Sequence, residues 1–279
     1  MRARARIARK VPGAIPVFAL GLVVIAALGG DWLAPYDPGA QDLANTAMPP
    51  SGAHWLGTDD LGRDVLSRLV SGARIALLGP AVVAIGVAVL ATVIGLLAGY
   101  RGGWVDSAIM RGVDLVYAVP PLLVAIVVVG VFGGGYPLAI GVLIALSVPA
   151  DVRMVRSAVL AQRNLAYVES ARTVGVGRGR ILFTHLLPNV LPTVVANLLL
   201  TFVSALVGLA ALAFLGLGVG TGAPDWGRML AENKGMLDLN PAAMAAPAVL
   251  ITVVAASVTL IGDRVYDRMA ARGRDVGRA

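Results

Sequence analysis

The chain is predicted to be an all-α integral membrane protein with six transmembrane helices and both termini in the cytoplasm. Three observations predict this. Of its 279 residues 58% are hydrophobic and only 14% charged, against roughly 25% charged in soluble domains. Six apolar stretches stand out, the later five near the roughly 20 residues needed to cross a bilayer. The basic residues gather at the ends of those stretches, mostly on one side of the membrane they imply.

Residues 1–30 carry Arg2, Arg4, Arg6, Arg9 and Lys10 ahead of an apolar run from Ile15 to Leu28. Basic residues before an apolar run also fit a signal peptide. No clean A-x-A site follows, so an uncleaved first span is expected. Residues 31–75 differ in character: they are rich in Asp, Pro and Gly and contain Trp32, Tyr36, Trp55 and the pair Pro49-Pro50, which punctuates irregular structure. A helix is expected from about Gly62, with Asp59 or Asp60 as its N-cap. Arg63, Asp64 and Arg68 would form a local charge cluster.

Five further spans are expected near 76–99, 113–132, 137–157, 193–216 and 244–262, within a core of residues 76–279. Pro120-Pro121 predicts a kink or a helix start in the second of these. Short glycine-bearing links, Tyr100 to Asp106 and Gly133 to Tyr136, join neighbouring spans. Residues 158–192 form the longest polar interruption of the core. There Glu169 and Arg172 are three apart, hence on one face of a helix with the acid first. Gly175 is placed to end that helix in the left-handed conformation. Arg178 and Arg180 follow, then a climb past Pro188 and Pro192 into the next span. Residues 219–243 would form an outer loop with a short helix around Trp226 to Lys234, and residues 263–279 a basic tail.

With the N-terminus inside, 18 of the 23 basic residues fall in the cytoplasm, including those around Glu169. That bias supports this orientation over its reverse. The outer side then holds nine acidic residues, among them Asp59, Asp60, Asp64, Asp225 and Glu232.

Several function classes drop out. The net charge of +7 does not mark a nucleic-acid binder, because the basic residues lie at span ends and not on one exposed face. The chain has no cysteine, so it has no thiolate site. A phosphate-cradling loop requires glycine directly before a lysine that precedes Ser or Thr; the only lysines are Lys10 and Lys234, and neither fits. His54 and His185 fall on opposite sides of the membrane and cannot share a metal. Asp114 and Asp151 are expected at span ends, at the interface. Span interiors free of charge argue against an ion-driven transporter. The chain is therefore not expected to be an enzyme by itself.

The residues also resemble a known family. Glu169-Ser170-Ala171, then Gly175 after three residues, then Leu187-Pro188 resemble the EAA loop of bacterial ABC importer permeases. Ser170 replaces an alanine of that pattern, and His185 stands where isoleucine is usual. His54 to Arg68, with Gly57, Thr58, Asp59, Gly62, Arg63, Asp64 and Arg68, resembles the extracytoplasmic segment of the dipeptide, oligopeptide and nickel (C-type) branch. So do the stretch Tyr100 to Asp106 and the run Phe214-Leu215-Gly216-Leu217-Gly218 followed by Pro224, Trp226-Gly227 and Met229-Leu230.

The resemblance implies a permease subunit in the bacterial plasma membrane, with Glu169, Ser170, Ala171, Arg172, Gly175, Leu187 and Pro188 in a cytoplasmic coupling helix and its flank. It implies a homologous second permease, two ATP-binding subunits that hold ATP and magnesium, and an extracytoplasmic solute-binding protein. This chain would bind no cofactor and no nucleic acid. Peptide is the implied cargo, ahead of nickel or another small solute. A stand-alone secondary transporter and a membrane scaffold are the remaining alternatives.

Overall fold

Helix α2, Val65–Arg101, is the axis of the molecule. In this computed structural model residues 14–276 are described, with side chains through Met269. Arg2, Arg4, Arg6, Arg9, Lys10 and Arg278, and the side chains of Arg272 and Arg274, on which part of the charge bias rests, lie outside the described residues. At 37 residues and 1.5 Å per residue, α2 is about 55 Å long, well beyond the roughly 30 Å of a bilayer's hydrocarbon. It therefore spans the membrane and overhangs it.

Around α2 stand α1 (Ala14–Gly29), α5 (Tyr136–Gln162), α7 (Arg178–Phe214) and α9 (Pro241–Val276). All five, the first counted on through Trp32, are long and apolar enough to cross a membrane. Among the described residues there is no strand; the one β-type contact is an isolated bridge between Thr58 and Asp64. The expected third span is a broken pair, α3 (Gly103–Tyr117) and α4 (Pro121–Val131), bent by 76°. Pro121 begins α4, so the proline pair acts as a helix start, where its missing N–H costs nothing. Arg153 of α5 pairs with Asp114 of α3 at 2.5 Å, and Arg156 of α5 pairs with Asp106. These two pairs fasten the broken span to α5.

Close packing along α2 rests on small residues. A Cβ on Gly95 would lie 2.7 Å from Cβ of Val155, and one on Gly99 would lie 2.8 Å from Cβ of Val159. Two glycines four apart thus form the flat face against which α5 packs, the small-residue device of membrane helix pairs. Apolar clusters then stack along the bundle. One end is built from α1, α2, α7, α8 (Trp226–Glu232) and α9 around Trp226. The middle is built from α2, α4, α5 and α7. The other end is built around Leu96, Val168 and Leu186.

Four expectations are corrected. The helix expected near Gly62 and the span expected from residue 76 are one helix, starting at Val65. Its N-cap is Asp64, whose carboxylate accepts from the Ser67 amide at 2.8 Å. Asp59 is not free to cap, because it accepts from the amides of Leu61 and Arg63 in the preceding turn. The fifth span begins at Arg178 and not near 193. Asp151 is not at a helix end: it lies near the middle of α5, is 7% exposed, and accepts from the Thr201 hydroxyl of α7 at 3.1 Å. A carboxylate within an apolar run reads as an end from sequence alone. Its burial depends on a partner 50 residues away.

Candidate functional site

At the end of the bundle where α2 finishes, the polar loop folds into α6, Ala166–Thr173. Glu169 sits in its first turn, where the partial positive charge of the helix N-terminus favours a carboxylate. Val168 and Ala171 are buried against Leu96 of α2, against Ile181, Leu186 and Val190 of α7, and near Val159 of α5. Glu169, Ser170 and Arg172 are exposed. So α6 turns an apolar edge to the spans and a polar face outward.

Side chains bolt α6 down. Arg172 does not turn toward Glu169; its guanidinium lies 5.1 Å over the Tyr100 ring of α2. Just before α6, Arg163 donates to the Gly99 carbonyl of α2 at 2.9 Å. Tyr167 donates to Gln162 of α5 at 3.0 Å, and burial raises the Tyr167 phenol above its usual range. These contacts, with the apolar edge, join α6 and the residues before it to α2, α5 and α7.

The helix ends as its sequence predicts. Gly175 has φ +81°. Its amide donates to the Arg172 carbonyl, and the Val176 amide donates to the Ala171 carbonyl, each at 3.0 Å. This is the complete Schellman pattern. Nothing lies within 4 Å of a Cβ built on Gly175, so a substitution there strains the backbone alone. Gly175→Ala is expected to destabilise the loop by about 1 kcal/mol, read as faster amide hydrogen exchange over residues 166–176 with unchanged exchange in α2.

Past Gly177 the chain enters α7 at Arg178 and Arg180, both exposed. Residues Ile181–Leu186 are wound as a π-helix. Pro188 has no N–H to return to the Thr184 carbonyl, and the wider winding accommodates that loss. Asn189 donates its side-chain amide to the His185 carbonyl at 2.7 Å, supplying a local bond to the disturbed backbone. Leu187 is half-buried and Pro188 exposed. Both belong to the foot of α7 and flank the face of α6.

At the far end of α2 the second predicted set comes together. Gly57 and Gly62 take φ +74° and +73°. A Cβ on Gly62 would collide with the Asp42 carbonyl. The Thr58 hydroxyl donates to the Asn45 carbonyl at 2.5 Å and accepts from the Met48 amide at 2.9 Å. Asp64, besides capping α2, contacts His54 Nδ1 at 2.9 Å.

Asp59 pairs with Arg63 at 2.6 Å and with Arg68 at 3.5 Å. All three are at most 2% exposed. The charge cluster is not local, however. Glu232 of α8 accepts from Arg63 at 2.9 Å, Arg68 at 3.0 Å and Arg228 at 2.8 Å. Asn240 donates to the carbonyls of Leu56 and Thr58, and Trp226 donates to the Leu69 carbonyl at 2.9 Å. Residues 56–63 are thus clasped to α8 through Arg63 and to Asn240 beyond it. Burial, and next the neighbouring Asp59 charge, raises the Asp60 carboxyl, and burial raises that of Asp225, the N-cap of α8.

Glu232, Arg228 and Asn240 are the members that sequence reasoning missed. An Arg228–Glu232 spacing of four was visible, but nothing marked partners more than 160 residues away. Among the described residues no group of three metal-ligating side chains exists. Arg68 and Tyr100 are separated by about 50 Å along α2 at 1.5 Å per residue. The two sets therefore lie at opposite ends of the long helix α2.

Comparisons with known proteins agree with this architecture. Residues 91–274 match the family described as binding-protein-dependent transport system inner membrane component. The chain is 36% identical over 226 residues to the dipeptide transport system permease protein DppC of Alkalihalophilus pseudofirmus, covering 81% of this chain and 74% of that one. It is 37% identical over 255 residues to the glutathione transport system permease protein GsiD of Pectobacterium atrosepticum, covering 91% and 84%. It is likewise 37% identical over 255 residues to the di/tripeptide transport system permease protein DppC of Pseudomonas aeruginosa, covering 89% and 84%.

In fold it resembles a chain of the MetNI methionine ABC transporter in an inward-facing conformation, with TM-score 0.56 and 20% identity over 72% of this chain and 96% of that one. This chain belongs to the family of binding-protein-dependent transport system inner membrane components, multi-pass proteins of the bacterial inner membrane.

Proposed function

We propose that this chain is the membrane-spanning permease subunit of an ATP-driven importer and forms half of the translocation path for small peptides. The observation that carries the coupling role is α6: an exposed face bearing Glu169, Ser170 and Arg172, anchored to three spans through Val168, Ala171 and Tyr100. Such a helix is suited to lie in a cleft of an ATP-binding subunit and to convert its closure into rocking of the bundle. The peptide cargo is supported by the dipeptide, di/tripeptide and glutathione permeases that the chain is similar to.

The partners follow from the same reading. A homologous permease completes the path, two ATP-binding subunits hold ATP and magnesium and hydrolyse it, and a solute-binding protein delivers peptide to the outer side. The α6 end faces the cytoplasm, with both termini on that side. The basic residues around α6 support this orientation. The clasped segment of Gly57, Thr58, Asp59, Gly62, Arg63, Asp64 and Arg68 then faces the solute-binding protein, as a rigid platform more than a ligand site, because its charges are already paired.

The test is purification of the gently solubilised complex through this chain, followed by mass measurement and peptide uptake in reconstituted vesicles. A second permease and two ATP-binding subunits, with ATP-dependent dipeptide uptake, are expected. Recovery of this chain alone across several detergents would overturn the reading. A tag inserted at residue 45 and reachable only from the cytoplasm would overturn the orientation.

A further inference from the structure

The polar side chains of α7 are not scattered. From Leu187 to Phe214 they are Asn189, Thr193, Asn197, Thr201 and Ser204 alone, each three or four residues after the last. At 3.6 residues per turn all of them fall within one arc of about 120°. The rest of that stretch is apolar. Hydroxyls and amides are costly to leave in hydrocarbon, so such a stripe turns to protein or to water.

Asp151 of α5 meets the stripe. It is 7% exposed, as is Thr201. The Thr201 hydroxyl donates to its carboxylate at 3.1 Å, and the Asn197 side chain is its other polar neighbour. Both are neutral. The basic residues nearest in sequence are engaged elsewhere, Arg153 with Asp114 and Arg156 with Asp106, and among the described residues no salt bridge reaches Asp151. The seam opens beside this carboxylate. Ser204, one turn past Thr201, is exposed and Asn197 is half-buried. Leu200 of α7 and Met154 of α5 flank them at 48% and 45% exposed.

These features select the ligand chemistry. An ionisable side chain within a membrane-spanning helix faces the bundle interior or a water-filled path, and there marks a route for substrate or ions. A carboxylate with only neutral partners leaves room for a cation. A resident metal is not the match, since among the described residues no group of three metal-ligating side chains exists. A primary ammonium is: its three N–H donors suit one carboxylate together with the hydroxyl and amide oxygens beside it.

We propose that the seam between α5 and α7 is a wall of the translocation path, and that Asp151, held by Thr201, takes the terminal ammonium group of a passing peptide. The peptide rests on the importer reading above; the cation site does not.

The test exploits the absence of cysteine from the chain. Ser204→Cys is placed in the otherwise native chain, in vesicles with the subunits that accompany it. It is treated with a cationic (trimethylammonium-ethyl) or an anionic (sulfonatoethyl) methanethiosulfonate, both of which react only where water reaches. Trp104→Cys, at an 81% exposed position, is the positive control. Modification at residue 204 is expected, and its cation-to-anion rate ratio is expected to fall about threefold or more when Asp151→Asn is added. Dialanine is expected to slow modification, and N-acetyl-dialanine, which lacks the ammonium, is not. In uptake assays Asp151→Asn is expected to lower dialanine transport more than tenfold, with partial rescue by Asp151→Glu and an unchanged melting temperature.

An unreactive residue 204 beside a reactive residue 104 would overturn the proposal, because the seam would be closed packing. So would a rate ratio indifferent to Asp151, equal protection by the two peptides, or loss of uptake accompanied by a lowered melting temperature. Should Asp151→Asn fail to assemble, the difference between the two peptides at Ser204→Cys decides alone. The charge-selective reactivity without any ATP-dependent uptake by the wild type would uphold the cation site and overturn the importer reading.

Discussion

Substituting Glu232 with alanine is expected to cost about 3 kcal/mol and to release the outer segment from α8. One carboxylate here satisfies Arg63, Arg68 and Arg228 at 2.8–3.0 Å. Arg63 and Arg68 are buried. Without Glu232 they are left in a crowded, low-dielectric site with Asp59 as the nearest opposite charge. Removing one partner of a buried pair is far costlier than the pair is stabilising, because the orphaned charge remains buried. Glu232→Gln, which keeps an acceptor but loses the charge, is expected to lose less. Thermal unfolding in detergent and limited trypsin digestion check this, with new cleavage at Arg63 and Arg68. Unchanged melting and unchanged tryptic resistance would mean that the segment is held by other contacts, such as those of Asn240.

Glu169→Lys is expected to leave insertion and folding intact and to reduce ATP-dependent uptake more than tenfold, the equivalent of about 1.4 kcal/mol at the docking surface. The side chain is exposed, while Val168 and Ala171 carry the packing of α6. Local stability changes little: a cation in the first turn of a helix costs only about 0.3–1 kcal/mol. The effect falls instead on the proposed contact with an ATP-binding subunit. The readouts are the ratio of that subunit co-purifying with this chain and peptide uptake by vesicles. Normal association together with normal uptake would make Glu169 an ordinary loop residue. A chain that no longer inserts would instead mean that Glu169 serves the fold.

Much of this protein was legible in its sequence, for reasons that are local. Apolar stretches separated by short polar links define the spans, since a bilayer imposes length and composition directly on each helix. Gly175 and Pro121 announced their roles because a left-handed C′ position and a helix start are decided within a few residues of backbone. The α6 loop was legible for the same reason. Its residues lie within one short segment, and its helix and glycine stop follow from spacing.

What only the tertiary structure decided is non-local. Asp64 and not Asp59 caps α2, because Asp59 is recruited by its own turn and by Arg63 and Arg68. Asp151 is buried because Thr201 meets it from another helix. Arg172 stacks on Tyr100 and not on Glu169, because the end of α2 brings an aromatic face within reach. The clasp on Glu232 exists only where distant helices meet. A near-uniform apolar helix carries no periodic mark of which face will pack, so its partners are settled by the shapes of its neighbours and not by its own residues.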